Sequence, residues 1–191
     1  METRPSEAEA VARTRQGDAA AFGSLVDVHQ EAAFRAAYLV LHDAQAAEDV
    51  AQEGFVRAYT NLGRFRAGEP FRPWLLRIVT NLALNELRTR GRRAGLLERV
   101  GRLLPREPSP PADAPLVATE AGAKVWQALG RLKEPERQVL YLRYFLELDE
   151  TELARAIDRP AGTVKSRLHR ASQHLRRVIE REYPELREAH D

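Results

Sequence analysis

The chain has 191 residues, a formal net charge of +2 and no cysteine, which excludes a disulfide framework and a thiolate metal site. Its five histidines show no paired metal-ligand spacing, so we expect no metal ion and no cofactor. The N-terminal segment is charged, and no stretch approaches the roughly 18 apolar residues of a membrane span. We therefore expect no secretion, no membrane insertion and a cytoplasmic location.

The positive charge is concentrated in two blocks. Residues 64–93 contain eight arginines and two glutamates, and residues 159–181 contain seven basic residues and one glutamate. Each block has a net charge of +6, which leaves −10 for the rest of the chain. Two basic blocks in an acidic background indicate a polyanion that is contacted at two places.

Apolar residues recur at helical spacing along nearly the whole chain, which predicts an all-α protein. Residues 95–119 are the exception, because they hold five of the eleven prolines. We predict two small helical domains, residues 1–94 and 121–183, joined by a flexible Pro-rich linker over 95–120 and followed by a tail over 184–191. The alternative is a long loop inside one domain, although loops of that length are uncommon in compact folds.

Three helices are predicted in the first domain. Asp18 is a candidate N-cap for a helix that runs to residue 41, and Asp43 can cap the next one. Pro70 and Pro73 mark a loop and the start of the third helix, which we expect to fray near Gly91.

The second helix has two chemically different faces. The apolar face, predicted to lie in the core, contains Ala51, Phe55, Ala58, Tyr59 and Leu62. The other face contains Asp49, Gln52, Glu53, Val56 and Thr60. Two acids on a helix usually form a solvated face, and the alternative is a docking surface for a basic partner.

The third helix combines an apolar stripe with a polar face. The stripe contains Leu75, Ile78, Val79, Leu82 and Leu87. The side chains outside it include Arg77, Asn81, Asn85 and Arg88, of the types that contact phosphates and base edges. Phe65, Phe71 and Trp74 lie before or at the start of this helix. Such aromatics usually belong to the core, but next to arginines they can also stack on unpaired bases.

The second domain ends in a predicted helix-turn-helix without a wing. After a helix from about Pro135, Asp149 and Glu152 form a capping box for a short helix. The tight DRPAG connection leads to a basic amphipathic helix from about Thr163. Its apolar side contains Val164, Leu168, Ala171, Leu175, Val178 and Ile179. Its opposite arc contains Lys165, Ser166, His169, Arg170, Gln173 and Arg177, and Arg167 lies near the edge of that arc. We expect the N-terminal half of this helix to enter a DNA major groove and Arg176 and Arg177 to contact phosphates. The candidate groove-contacting residues are Thr163, Lys165, Ser166, Arg167, His169 and Arg170.

Four motifs occur in a fixed order around the Pro-rich segment: GDAAAFGSLV, AEDVAQEGFVRAY, FRPWLLRIVTNLALNELR and PAGTVKSRLHRA. The chain resembles the extracytoplasmic-function (ECF) group of bacterial sigma-70 family sigma factors over roughly residues 17–93 and 125–179. The resemblance implies a region 2-like domain, a region 4-like domain and a function in promoter-specific initiation, with no enzymatic activity of its own.

The resemblance also implies roles for individual residues. The surface that would dock on the coiled coil of the largest RNA polymerase subunit contains Asp49, Gln52, Glu53 and Val56. The surface that would open and read the −10 promoter element contains Phe71, Trp74, Arg77, Asn81, Asn85 and Arg88. The −35 element would be read by residues 163–170, and the linker would thread through the polymerase channel toward the RNA exit. An anti-sigma factor is a further expected partner.

Two positions depart from the family pattern. Asp158 and Arg159 stand where the family usually has a glycine, although an aspartate can adopt the left-handed conformation at some cost. Asn85-Glu86 replaces an aspartate-containing pair, which leaves the role of Asn85 open. Two other functions stay open from the residues alone: a dimeric helix-turn-helix regulator that works apart from polymerase, and a helical adaptor that binds only protein.

Overall fold

The computed structural model describes residues 5–98 and 120–188 of the chain, with side chains placed at residues 5–90 and 120–186. Every regular element in these ranges is helical. The first group of elements is α1 (Glu7–Arg15), α2 (Ala19–Leu41), α3 (Ala44–Thr60), a 3-10 turn (Leu62–Arg64) and α4 (Phe71–Glu98). The second group is α5 (Glu120–Gly130), α6 (Glu134–Leu140), a π-helical turn (Tyr141–Phe145), α7 (Glu150–Ile157), α8 (Ala161–Glu182) and α9 (Glu185–Glu188).

The chain divides into two compact units, residues 1–89 and 90–191. The predicted all-α fold with two helical domains is thereby confirmed. The predicted domain boundaries stay predictions, because most of the predicted linker, residues 99–119, lies outside the described residues. Residues 189–191 of the predicted tail also lie outside them.

In the first unit, α1 and α3 pack against α2. The core includes edge-to-face contacts from the Phe22 ring to the rings of Phe55 and Phe71, with centroids 6.4 and 6.3 Å apart. The two predicted caps are confirmed, because the Asp18 and Asp43 carboxylates accept hydrogen bonds from the third residue of α2 and of α3 at 3.1 Å. Each bond satisfies an amide that lacks a partner within its helix.

The first unit differs from the sequence predictions at four places. Leu62, assigned to the apolar face of the second helix, is buried but lies in the 3-10 turn after α3. The helix α1 was not predicted, and α4 continues to Glu98 instead of ending near Gly91. Tyr59 was assigned to the core, yet it is 43% exposed, although its ring makes an edge-to-face contact with that of Phe22, with centroids 5.1 Å apart.

In the second unit, α8 packs against α5, α6 and α7. The rings of Trp126 and Tyr141 stack in its core with centroids 5.4 Å apart, and burial raises the pKa of the Tyr141 hydroxyl. The predicted capping box is confirmed: the Asp149 carboxylate accepts from the Glu152 amide at 2.8 Å, and the Glu152 carboxylate accepts from the Asp149 amide at 3.0 Å.

The connection between α7 and α8 is a tight turn. Asp158 adopts the left-handed conformation with φ 53° and ψ 53°, as expected for the residue that replaces the usual glycine. The Arg159 amide donates to the Ala154 carbonyl at 3.0 Å and closes the end of α7. The next helix begins at Ala161, two residues before the predicted Thr163.

Candidate polymerase and DNA interfaces

The first candidate surface is the N-terminal half of α8. Its solvent-facing side is the α8 basic surface, which comprises Thr163, Lys165, Ser166, Arg167, His169 and Arg170. Five of the six side chains are exposed, and that of Arg167 is half-buried at the edge of the surface. The buried residues Val164, Ala171 and Val178 recur every seven positions on the opposite side. The structure therefore places the six predicted residues together, on the side of α8 away from the core.

The charges of the α8 basic surface are not neutralised within the described part of the chain. No described carboxylate lies within 4.0 Å of the Lys165 ammonium or of the Arg167 and Arg170 guanidinium groups. The Arg170 Nε donates to the Ser166 carbonyl oxygen at 3.2 Å, which keeps that side chain along the helix surface. Arginine and lysine charges left open on one side of a helix can bind phosphates or guanine edges.

The second candidate surface lies on α4. Arg77, Asn81, Asn85 and Arg88 follow one another at intervals of four, four and three residues, so they share one side of the helix. Asn81, Asn85 and Arg88 are exposed, and Arg77 is half-buried. The Arg88 Nη1 donates to Asn85 Oδ1 at 3.2 Å, so these two side chains are held together. With Trp74, these residues form the α4 polar surface.

The two predicted aromatic members of this surface differ in their surroundings. Trp74 is half-buried, with its ring centroid 5.1 Å from that of Phe65 and 5.6 Å from that of Phe71, so part of its indole remains open to a partner. Phe71 is 0% exposed and packs against Phe22, Phe65 and Trp74. Because its ring has no open face, we withdraw Phe71 from the predicted DNA contacts and assign it to the core.

The third candidate surface is the acidic side of α3. It comprises Asp49, Gln52, Glu53 and Val56, which are all exposed, with Val56 57% exposed. The opposite side of α3 packs into the core through Ala51, Phe55 and Ala58. The Glu53 carboxylate pairs with Arg57 at 2.7 Å, and Asp49 accepts a hydrogen bond from Gln45 at 3.2 Å. This α3 acidic surface combines negative charge with an apolar side chain, a combination found at protein interfaces.

Sequence reasoning missed one set of residues, on α1. The guanidinium of Arg15 donates to the carbonyl oxygens of Leu62 and Phe65, and the carboxylate of Glu7 contacts His29 and accepts from the Phe71 amide. The signal for this helix was present in SEAEAVARTR. Ser6 accepts a hydrogen bond from the Glu9 amide at 3.3 Å, as an N-cap does.

Residues 5–98 and 120–188 include no helix whose length and apolar character would allow it to span a membrane. The same ranges contain no group of three or more histidine or acidic side chains that could hold a metal ion.

Two family models match the chain. The model described as Sigma-70 region 2 matches residues 25–93, which contain the α3 and α4 surfaces. The model described as Sigma-70, region 4 matches residues 123–175, which contain the α8 basic surface.

Curated relatives match nearly the whole chain. The RNA polymerase sigma-H factor of Pseudomonas aeruginosa is 37% identical over 199 aligned positions, which cover 99% of this chain and all of the relative. The ECF RNA polymerase sigma factor SigW of Bacillus subtilis is 31% identical and covers 88% of this chain and 94% of its own. Among solved structures, CnrH in complex with the cytosolic domain of CnrY has a TM-score of 0.67 and 27% identity, covering 93% of this chain and 99% of that one.

The folds and the surfaces define a two-domain, all-α protein whose second domain carries a basic helix-turn-helix. Together with the family matches and the full-length relatives, they show that the chain belongs to the ECF group of the sigma-70 family. It is a factor for promoter-specific transcription initiation by RNA polymerase.

Proposed function

We propose that each of the three surfaces has its own binding function in this sigma factor. The α3 acidic surface docks on the coiled coil of the largest subunit of core RNA polymerase. The α4 polar surface captures the −10 element as it opens, and the α8 basic surface reads the −35 element as duplex. The observation that carries the proposal is the exposure of three sets of side chains with different chemistry on the sides of three helices that face away from the core.

The α3 acidic surface suits a basic helical partner. Its two carboxylates stand on one side of a helix whose other side is fixed in the core, so the charges are preorganised. Val56 adds an exposed apolar side chain to this otherwise polar patch. Charge complementarity of this kind supports fast and specific association.

The α4 polar surface suits an unpaired DNA strand. Taking a base out of the stack costs a few kcal/mol, which hydrogen bonds to the base and stacking on an aromatic ring offset. Asn81 and Asn85 supply amide donors and acceptors at adjacent turns, and Trp74 supplies a partly open ring. Arg77 and Arg88 add positive charge for the backbone of the strand.

The α8 basic surface suits the major groove of duplex DNA. The capping box and the turn at Asp158 fix where α8 begins, and its first three turns carry the open cations. A recognition helix contacts base edges with its N-terminal residues, and residues further along contact the backbone. Arg167 and Arg170 are the candidates for guanine contacts, which arginine makes in bidentate form.

In this proposal core polymerase performs nucleotidyl transfer, so the protein itself is non-catalytic. The proposal also places the protein in the cytoplasm, where bacterial promoters are transcribed. CnrH is known in complex with the cytosolic domain of CnrY. By analogy we propose that an anti-sigma factor binds this chain and covers surfaces on both domains.

The test is run-off transcription by core polymerase on a library of genomic promoter fragments. We expect transcripts that share two upstream sequence blocks, at −35 and −10, only when this protein is added. The competing function, a regulator separate from polymerase, predicts that the purified protein protects a two-fold symmetric site alone and leaves the transcripts of core enzyme unchanged. That outcome would overturn the proposal.

A further inference from the structure

The helix α1 lies outside the residues that the region 2 family model matches, yet it holds the segment that leads into α4. That segment, residues 62–71, contains the 3-10 turn, the loop that follows it and the first residue of α4. Two side chains of α1 contact it, one at each end. They are Arg15 at the start of the segment and Glu7 at its end.

Arg15 binds two backbone carbonyl oxygens of the segment. Its Nε and Nη2 donate to the Leu62 oxygen at 3.2 and 2.9 Å, and Nη2 also donates to the Phe65 oxygen. Because a guanidinium is planar, these bonds fix the direction of both carbonyl groups. Arg15 therefore sets the shape of the turn that delivers Phe65 to the core.

Glu7 binds the other end of the segment. Its Oε1 accepts from the Phe71 amide at 2.5 Å, and its Oε2 lies 3.0 Å from the Nε2 of the buried His29. The Phe71 amide is one of the first amides of α4, which have no partner within the helix. A carboxylate there also interacts favourably with the positive end of the helix dipole. Glu7 thus fixes where α4 starts.

Between these two ends the loop lies over a cavity of about 400 Å³. The walls of the cavity are side chains of α1, such as Val11, and loop residues from Phe65 to Pro70. This space between α1 and the loop is not filled by side chains. The hydrogen bonds from Arg15 and Glu7 hold the loop to α1 at both of its ends, in addition to the packing of the Phe65 ring against Phe71 and Trp74 of α4.

We propose that α1 is a positioning element for promoter opening, in which Arg15 and Glu7 hold residues 62–71 in the conformation that receives the unpaired −10 strand. The inference rests on the role proposed above for the α4 polar surface, since the segment leads directly into that surface. A loop held in its binding conformation loses less conformational entropy when the strand binds, so affinity rises without a new contact.

The test measures how holoenzyme binds a fluorescent single-stranded oligonucleotide. Its sequence is the non-template −10 strand of a promoter that the wild-type holoenzyme transcribes. We expect Arg15→Ala to weaken this binding by about threefold to tenfold, the range that corresponds to the net contribution of a typical intramolecular hydrogen bond. Binding of core polymerase and of −35 duplex should stay at the wild-type value.

Arg13→Ala is the matched control. Arg13 is on the same helix and also exposed, but it pairs with Asp18 at 2.7 Å and does not reach the loop. Both variants remove one positive charge from α1, so an effect of Arg15→Ala beyond that of Arg13→Ala is not general electrostatics. Equal oligonucleotide binding by the two variants would overturn the inference.

Glu7→Ala distinguishes a positioning role from a charge effect, because the two predict opposite changes in the affinity for the single strand. Removal of an acid near a DNA surface should strengthen DNA binding on electrostatic grounds, whereas loss of the contact to the Phe71 amide should weaken it. We expect weaker binding of the single strand. Stronger binding of the single strand, or an equal loss of core polymerase binding, would contradict a positioning role.

Asn81→Ala distinguishes failure of this inference from failure of the proposed function. If Asn81→Ala weakens oligonucleotide binding and Arg15→Ala does not, only the role of α1 is wrong. If neither variant changes it, the assignment of the α4 polar surface is wrong, and the inference falls with it.

Discussion

A Cβ atom placed on Gly54 of α3 would lie 2.5 Å from Cγ2 of Val79 on α4. Both residues are buried, and Val79 is 0% exposed. The two helices therefore approach as closely as glycine permits at this point. Since one helix carries the α3 acidic surface and the other the α4 polar surface, this contact constrains the spacing between the two surfaces.

Substitution of Gly54→Ala should destabilise the protein. The new methyl group would overlap Cγ2 of Val79, a buried β-branched side chain that has one strongly preferred rotamer in a helix. Overpacking of this kind costs about 1–3 kcal/mol, and the better helix propensity of alanine returns at most about 1 kcal/mol. Guanidinium unfolding followed by far-UV circular dichroism measures the net loss.

Gly23→Ala is the control for helix propensity. Gly23 lies within α2, is exposed, and would meet no atom within 4 Å through a Cβ. We expect this variant to gain up to about 1 kcal/mol in the free energy of unfolding. If Gly54→Ala gained the same amount, the close approach of α3 and α4 would be wrong.

Substitution of Arg167→Ala should change the sequence preference of the factor. An arginine that makes a bidentate contact to guanine contributes about 1–3 kcal/mol of discrimination at one base pair. Binding of holoenzyme to duplexes with each single substitution in the −35 element would show a relaxed preference at one position. An unchanged preference would remove Arg167 from the reading surface.

Arg177→Ala should act differently, because Arg177 lies further along α8 at an exposed position suited to the phosphate backbone. We expect all duplexes to be bound more weakly by a similar factor. The slope of log affinity against log salt concentration should fall by about one, the effect of losing one phosphate contact. A change confined to particular sequences would instead assign Arg177 to base recognition.

The pair Glu7 and His29 predicts a pH dependence of stability. The hydrogen bond from His29, together with that from the Phe71 amide, holds the pKa of the Glu7 carboxyl below its ordinary value of 4.5. A pKa that is lower in the folded state stabilises the protein above the unfolded value, and this stabilisation is lost as pH falls through 4.5 toward the folded value. We expect the free energy of unfolding of Glu7→Gln to fall less than that of wild type between about pH 6 and pH 3.

Glu9→Gln tests whether this effect belongs to the Glu7 site. Glu9 is an exposed acid on α1 whose carboxylate does not bind His29 or the Phe71 amide. In Glu9→Gln the free energy of unfolding should fall between about pH 6 and pH 3 by nearly the same amount as in wild type. Matching profiles for Glu7→Gln and Glu9→Gln would contradict the assignment.

Local chemistry in the sequence was enough to predict several elements. Asp18, Asp43 and Asp149 are caps because short acceptor side chains satisfy the amides of the first turn, a rule that needs no tertiary information. Asp158 stands where the family usually has a glycine, and an aspartate can adopt the left-handed conformation that the structure shows there. The outward basic side of α8 followed from the alternation of apolar and charged residues at helical spacing.

Tertiary packing decided the features that the sequence did not show. The sequence alone does not distinguish a phenylalanine that contacts DNA from one in the core. Phe71 is assigned to the core because the rings of Phe22 and Phe65 pack against it. Arg15 and Glu7 contact residues about 50 and 64 positions away, so no local pattern links them to the loop before α4. The periodicity placed Tyr59 on the apolar face of α3, but it did not predict that the side chain is 43% exposed.

The separation of polymerase binding from DNA reading is tested most directly by the equilibrium affinity of core polymerase for two charge variants of the full chain. We expect Asp49→Arg with Glu53→Arg to abolish binding while circular dichroism stays unchanged. Lys165→Ala with Arg170→Ala should bind core polymerase as tightly as wild type. Full binding by the first variant, or an equal loss in both, would contradict the assignment of docking to α3.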